Sequence, residues 1–201
     1  MIGRTKVPLA CGMWMQERGF LEGLTAMLPE GARIVNIGAA AGTSTVAILR
    51  GARDIRDFHV WSIDIMACPG ETGYVRDCGL SNPRRYTQVV GDSGEVGMAW
   101  NIPLDLVFVD GCHNQEGVGR DIKAWAPHVK AMGLLLFHDY DHVWPGVTNT
   151  VDEWFEEAVK RGWRKIGRVS ITVAFLHGEP NYHLAKIPDS GFNHWSRGLP
   201  R

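Results

Sequence analysis

No run of apolar residues in this chain approaches the ~20 that a membrane-spanning helix requires, so none is expected. The opening residues, MIGRTKVPLACGMWMQ, carry early positive charge without a sustained apolar stretch, and a secretory leader is not expected either. Neither sign of charge is in excess. Lys and Arg number 21, Asp and Glu 22, and the formal net charge is −1. Such a balance gives no support to a broad nucleic-acid surface or to attraction by anionic membrane. Cysteine is scarce: Cys11, Cys68, Cys78 and Cys112 match no zinc spacing and no disulfide framework. Reduced thiols and a cytoplasmic setting are the expectation. Internal repeats, low-complexity runs and linkers are missing too.

What the chain does have is 201 residues, 45% hydrophobic and 21% charged, enough for one domain with a substantial core. Residues 1–30 read as a helical lead-in and 179–201 as an irregular Pro- and Gly-rich tail of a single domain spanning 1–201. The eight tryptophans read as packing.

Periodicity supplies the elements. Phe20, Leu21, Leu24, Met27 and Leu28 recur at helical spacing before Pro29-Glu30-Gly31. Strands are expected at 33–37, 58–64, 86–90, 104–109 and 134–137. Helices are expected at 43–49, 93–100 and along the stripe Val118, Ile122, Trp125 and Val129. Residues 66–85, rich in Gly and Pro, read as a loop or interrupted helix, with Glu71, Tyr74 and Arg76 on a lid over the strand ends. A helix from Thr150 to Arg161 is expected to open with a Thr150/Glu153 capping box and to stop at Gly162. The alternation from Val169 to Phe175 predicts a last strand paired with Trp163–Ile166. Strands alternating with helices imply an α/β fold. The sheet should be doubly wound, Rossmann-like, of about seven strands, mostly parallel with an antiparallel C-terminal edge.

Two groups of residues fall at strand ends. In IVNIGAAAGTSTVAIL, Gly38 and Gly42 let a backbone pass close to a ligand, and the amides of Thr43, Ser44 and Thr45 would open a helix onto it. The spacing is G-x-x-x-G, unlike the G-x-G-x-x-G of dinucleotide phosphate loops. Asp64 ends the next strand, where a carboxylate can accept from ribose hydroxyls, and Asp92-Ser93 follow the third strand. The second group lies in Val107–Trp144: Asp110 and Asp139 each close an apolar strand, with His113 and His138 beside them. In an open parallel sheet the carboxyl ends share one edge, so the two groups converge.

In that order these features resemble the class I S-adenosylmethionine-dependent methyltransferases, over about Phe20 to Phe175. NIGAAAGTST is similar to the motif that holds the methionine part of the cofactor, with Asn36 standing where an acid is usual. The resemblance implies cofactor contacts at Asn36, Gly38, Ala39, Gly42, Thr43, Ser44, Asp64, Asp92, Ser93 and Asp110. DGCH (110–113), the helix with Asp121 and Trp125, and HDYDHVWPGVTNTVDEW (138–154) are similar to the O-methyltransferases of the macrocin and mycinamicin group and to cephalosporin-biosynthesis methyltransferase-like proteins. That likeness implies catalytic roles for His113, Asp110 and Asp139, with His113 as base. It also implies a magnesium ion on Asp110, His138 and Asp139, with Asp141 as a further carboxylate. His138 stands where an acid is common, and imidazole suits softer metals than magnesium. Two readings stay open: Mg2+ or another divalent cation, or no metal, with His113 or His138 as a simple base.

The activity so implied is O-methylation of a small-molecule hydroxyl, on a sugar or natural-product intermediate. A nucleic acid or membrane partner is not expected, and a homo-oligomer is left open. Two other functions remain. One is a non-catalytic S-adenosylmethionine-binding or accessory module, because fold alone does not prove activity. The other is a nucleic-acid methyltransferase, disfavoured because VDGCH stands where an NPPY-like motif would be and Asn82-Pro83 comes too early. The glycine spacing disfavours a nicotinamide dehydrogenase. Cys112 reads as a passive small residue and Asp121 as a structural one. His142 and Trp144 either line the acceptor site or pack.

Overall fold

The structure, a computed structural model, describes residues 13–178. Helix α1 (Met15–Ala26) leads into strand β1 (Arg33–Ile37), helix α2 (Thr43–Gly51) and strand β2 (His59–Asp64). Helix α3 (Pro69–Asp77), strand β3 (Tyr86–Val90), helix α4 (Ser93–Met98) and strand β4 (Leu104–Val109) follow. The chain continues through helix α5 (Gln115–Trp125), strand β5 (Val129–Phe137), helix α6 (Pro145–Ala158), strand β6 (Trp163–Val169) and strand β7 (Thr172–His177). Among the described residues no helix is long and apolar enough to cross a membrane.

The seven strands form one sheet in the order β3-β2-β1-β4-β5-β7-β6. Strand β1 pairs in parallel with β2 on one side and β4 on the other, so the winding direction reverses between them. Ligand crevices open at that reversal, outside the carboxyl ends of the strands. Strand β7 pairs antiparallel with both β5 and β6, the edge expected from the closely spaced final strands. Strand β4, LDLVFV, is buried at every position, as a central parallel strand covered on both faces must be. Its alternate residues feed two apolar layers. Leu106 and Phe108 pack with α1 and α2 residues such as Leu21 and Ile48, while Val107 and Val109 pack with α5 and α6 residues such as Trp125 and Val151.

Four local expectations need correction. Residues 69–77 form a helix, started by Pro69 in its first turn, where a missing N–H costs nothing. Strand β5 begins at Val129, so Val129 belongs to the strand and Gly133 lies inside it rather than just beyond the helix. Helix α6 begins at Pro145, which leaves Thr150 inside it. The Thr150 hydroxyl donates to the carbonyl of Gly146 at 2.6 Å, so there is no capping box there. Finally, Val169 ends β6, and the hairpin turns at Ser170-Ile171, with Ser170 at φ 54. Thr172 onwards is the last strand. Cys11, the start of the lead-in and the 179–201 tail lie outside the described residues.

Candidate active site

Strand β1 ends in a turn with Gly38 at φ 82, Ala40 at φ 43 and Gly42 at φ 88, after which α2 begins at Thr43. Left-handed φ is open to glycine at little cost. The stronger constraint is space. A Cβ on Gly38 would collide with the backbone carbonyl oxygen of Asp110, and one on Gly42 would lie 2.8 Å from the Cα of Glu71. The glycines therefore let the chain approach itself. Gly42 packs against Glu71 rather than on the wall of the cavity described below.

Asn36 is likewise placed by packing. It is fully buried and does not line the cavity. Its Nδ2 donates to Thr45 Oγ1 at 2.9 Å, and Thr45 Oγ1 donates to Glu71 Oε1 at 2.5 Å. Gln88 Nε2 donates to Glu71 Oε2 at 2.6 Å. Asn36 thus ties β1 to α2 and α3, which places it behind the glycine turn. Glu71 is a buried anchor in this network, not a lid residue.

Outside the ends of β1, β2 and β4 lies a cavity of about 800 Å³. The turn residues Gly38 to Ala41 and the first α2 residues, Thr43 and Ser44, form its floor. Asp64 stands at one side, with Oδ2 accepting from the Ala40 amide at 3.1 Å and Oδ1 from the Met66 amide at 3.2 Å. Asp92 and Ser93 line the far end. Asp92 caps α4 by accepting from the Glu95 amide at 3.1 Å and pairs with Arg120 at 3.0 Å. The Ser93 hydroxyl donates to Asp121 at 2.5 Å, so Asp121 is a structural partner, as expected. Thr43 Oγ1 is buried and has no hydrogen-bond partner among the described residues. Buried hydroxyls are normally satisfied, and an orphan on a cavity wall fits a polar ligand group. A glycine turn opening a helix, an acid for ribose and an Asp-Ser pair along one elongated cavity fit an adenosyl sulfonium.

Asp110, His113, His138 and Asp139 gather at the carboxyl ends of β4 and β5. Asp110 follows β4, and His138-Asp139 follow β5. Asp139 has φ 56, an uncommon conformation that turns the chain sharply off the sheet. His113 Nε2 lies 2.9 Å from Asp139 Oδ2, and the His113 ring packs against Trp144 with centroids 4.4 Å apart. His138 sits behind them, its side chain 4% exposed. Its Nδ1 is 3.2 Å from Asp110 Oδ1 and 3.2 Å from Asp139 Oδ2, shared between them rather than aligned on either. Its Nε2 is 3.4 Å from Glu17 Oε2.

Burial would depress the His138 pKa, but Asp110, Asp139 and Glu17 override it and push the imidazole up to about 12. Desolvation raises the pKa of Asp110 against the opposing pull of His138. Asp139 is also desolvated, yet His138 and His113 hold it below the ordinary carboxylate range.

Asp110, His113 and Asp139 present ligand atoms within 4.8 Å of one another; His138 stands behind them, its Nδ1 3.2 Å from each carboxylate and its Nε2 facing Glu17. Asp141 lies outside that group, its Oδ1 accepting the amides of Val143 at 2.9 Å and Trp144 at 3.1 Å. The two loops carrying the cluster are packed together: a Cβ on Gly146 would lie 2.5 Å from the carbonyl oxygen of His113.

Sequence reasoning missed Arg120, on α5, and Met13, which both line the cavity. Glu17 lies behind His138. The only sequence signal for Glu17 is its place three residues after Trp14, where it accepts the Trp14 amide at 2.7 Å to cap α1. Nothing in that spacing points to a histidine 121 positions away.

A crevice at the reversal of a doubly wound sheet, floored by a glycine turn and walled by acid-tipped strands, defines the class I S-adenosylmethionine-dependent methyltransferase class. The chain belongs to the methyltransferase domain family, whose model matches residues 35–140. Demethylmacrocin O-methyltransferase of Streptomyces fradiae is 33% identical over 78 residues, 36% of this chain and only 20% of that protein's length. The O-methyltransferase from Bacillus cereus, solved in complex with SAH, superposes with a TM-score of 0.63 at 14% identity, covering 83% of each chain. An rRNA methylase from Streptococcus thermophilus superposes with a TM-score of 0.64 at 11% identity, covering 84% of this chain and 100% of that one. Likeness at such low identity shows the fold.

Proposed function

We propose that this chain is an O-methyltransferase for a hydroxyl on a small molecule, a sugar or natural-product intermediate. The observation that carries this reading is the His113–Asp139 pair at 2.9 Å, set beside Asp110 at the end of the cavity opposite Asp92 and Ser93. Bound S-adenosylmethionine supplies a methyl already activated on its sulfonium sulfur. The residues need only hold the acceptor in line and take its proton. With Nε2–H donated to Asp139, His113 keeps Nδ1 as the acceptor nitrogen. The hydroxyl proton passes there while the oxygen bonds the methyl carbon and the carbon–sulfur bond breaks. Asp64 accepts from ribose hydroxyls, Asp92 and Ser93 face the adenine, and Thr43 Oγ1 meets a polar group of the cofactor. The name of the Streptomyces fradiae relative supports oxygen as the acceptor atom. The net charge of −1 supports a small acceptor over RNA.

A second reading is favoured by the Asp110, His113 and Asp139 cluster. These residues would hold a divalent cation, which would lower the pKa of an acceptor hydroxyl. His113 would then be a ligand, and a set containing imidazole suits manganese, cobalt or zinc better than magnesium.

The test is transfer of labelled methyl from S-adenosylmethionine to a panel of hydroxylated sugars and natural-product scaffolds, with and without chelator. Product with a wild-type chain and its loss in His113→Ala support the reading. Label appearing only in RNA overturns it, and loss of turnover with chelator, restored by Mn2+, selects the metal-assisted form.

A further inference from the structure

We propose that Glu17 is a positioning residue of the reactive cluster, acting through His138 on Asp110, Asp139 and, through Asp139, on His113. This rests on the methyl-transfer reading only for its kinetic consequence. Glu17 is fully buried, although an ionisable side chain is almost never so without a paired role. Its two oxygens divide their work. Oε1 accepts the Ile171 amide at 3.1 Å and the Thr172 hydroxyl at 3.4 Å, which fixes it to the start of β7. Oε2 accepts the Trp14 amide at 2.7 Å and faces His138 Nε2 at 3.4 Å. A carboxylate so tied cannot swing.

The His138 ring lies between this fixed anion and the two strand-end carboxylates, each 3.2 Å from its Nδ1. Imidazole carries its two nitrogens on opposite sides of a rigid ring, so an acceptor fixed at one nitrogen sets where the other points. The ring thereby holds the side chains of Asp110 and Asp139 near each other, and Asp139 Oδ2 is also the atom that orients His113. Helix α1 lies outside the matched family segment 35–140, yet it supplies the innermost member of the site.

The test uses the full chain with Glu17→Gln, which keeps the shape and one of the two acceptor oxygens but removes the charge and replaces the other oxygen with a donor. His113 is not in contact with Glu17, so its ring nitrogen and carbon resonances report only what passes through His138 and Asp139. In Glu17→Gln these resonances move, and in the double variant with His138→Asn they match those of His138→Asn alone. Unchanged His113 resonances, or further displacement in the double variant, overturn the proposal, even if the melting temperature falls. With an acceptor in hand, kcat drops about ten- to a hundredfold while S-adenosylmethionine affinity stays within about twofold, the scale of one lost charge-assisted bond. Equal loss of kcat and cofactor affinity also overturns it. An absence of turnover in the wild-type chain sinks the methyl-transfer reading alone, because the His113 resonances still decide the role of Glu17.

Discussion

The two ends of the cavity are built by different means. The end floored by β1 and β2 is lined by backbone and a few polar side chains, and the buried polar residues Asn36, Thr45 and Glu71 hold helices in place behind it. At the β4 and β5 end, three carboxylates and two imidazoles converge on one another with little between them. The first end is a mould whose shape depends on close chain packing. The second is a charge assembly whose function depends on mutual orientation. Damage at the first should appear as lost stability or cofactor affinity, and damage at the second as lost turnover.

The largest test of that division is Asp139→Ala. It removes the group that orients His113, and turnover should fall by roughly 10²–10⁴-fold, the share general base catalysis contributes. Calorimetry should find S-adenosylmethionine affinity nearly intact. A matching loss of affinity would erase the distinction between the two ends. Gly38→Ala strikes the mould. Its methyl would drive against the Asp110 carbonyl in a backbone conformation already at φ 82, so denaturant unfolding should record a loss of about 3 kcal/mol or more. A variant as stable as wild type would mean that the turn and β4 are not in contact. Asp64→Ala should weaken cofactor binding by ~1–3 kcal/mol, the cost of leaving polar partners unpaired, with kcat at saturating cofactor little changed.

A further test reads pH dependence. His138 is raised from 6.5 to about 12 in the folded chain, so its contribution is full below the unfolded value and declines as pH rises towards the folded one. Between about pH 7 and about pH 10 wild-type stability should fall, and His138→Asn should flatten that slope. Parallel curves would show that His138 carries no extra proton in the folded state. Asp139, lowered in the fold, contributes with the opposite sign, losing its share as pH falls through its depressed value.

The same division explains what could be read from the sequence. Strands β1, β3 and β4 were legible to the residue, since their apolar runs are short and bounded by turn residues. The strand-end acids were legible because parallel topology brings carboxyl ends to one edge. Helix α3 was obscured because Pro69, Gly70 and Gly73 read as breakers, although a first-turn proline starts a helix as readily as it ends one. The neighbours of Gly42 and Asn36 could not be read, because spacing shows that a position must be small or polar without saying what it meets. That His113 would meet Asp139 could not be read from spacing, because the contact depends on how the loops after β4 and β5 fold onto each other. Glu17 could not be found, because its partners at 138, 171 and 172 are joined to it only through tertiary packing.

Gly146 joins the two loops of the acceptor end so tightly that neither can be reshaped without the other. Retargeting this scaffold to a new acceptor would call for grafting residues 110–115 and 139–147 as one cassette. Exchanging either segment singly would leave a seam where a donor's larger side chain at 146 meets a foreign backbone.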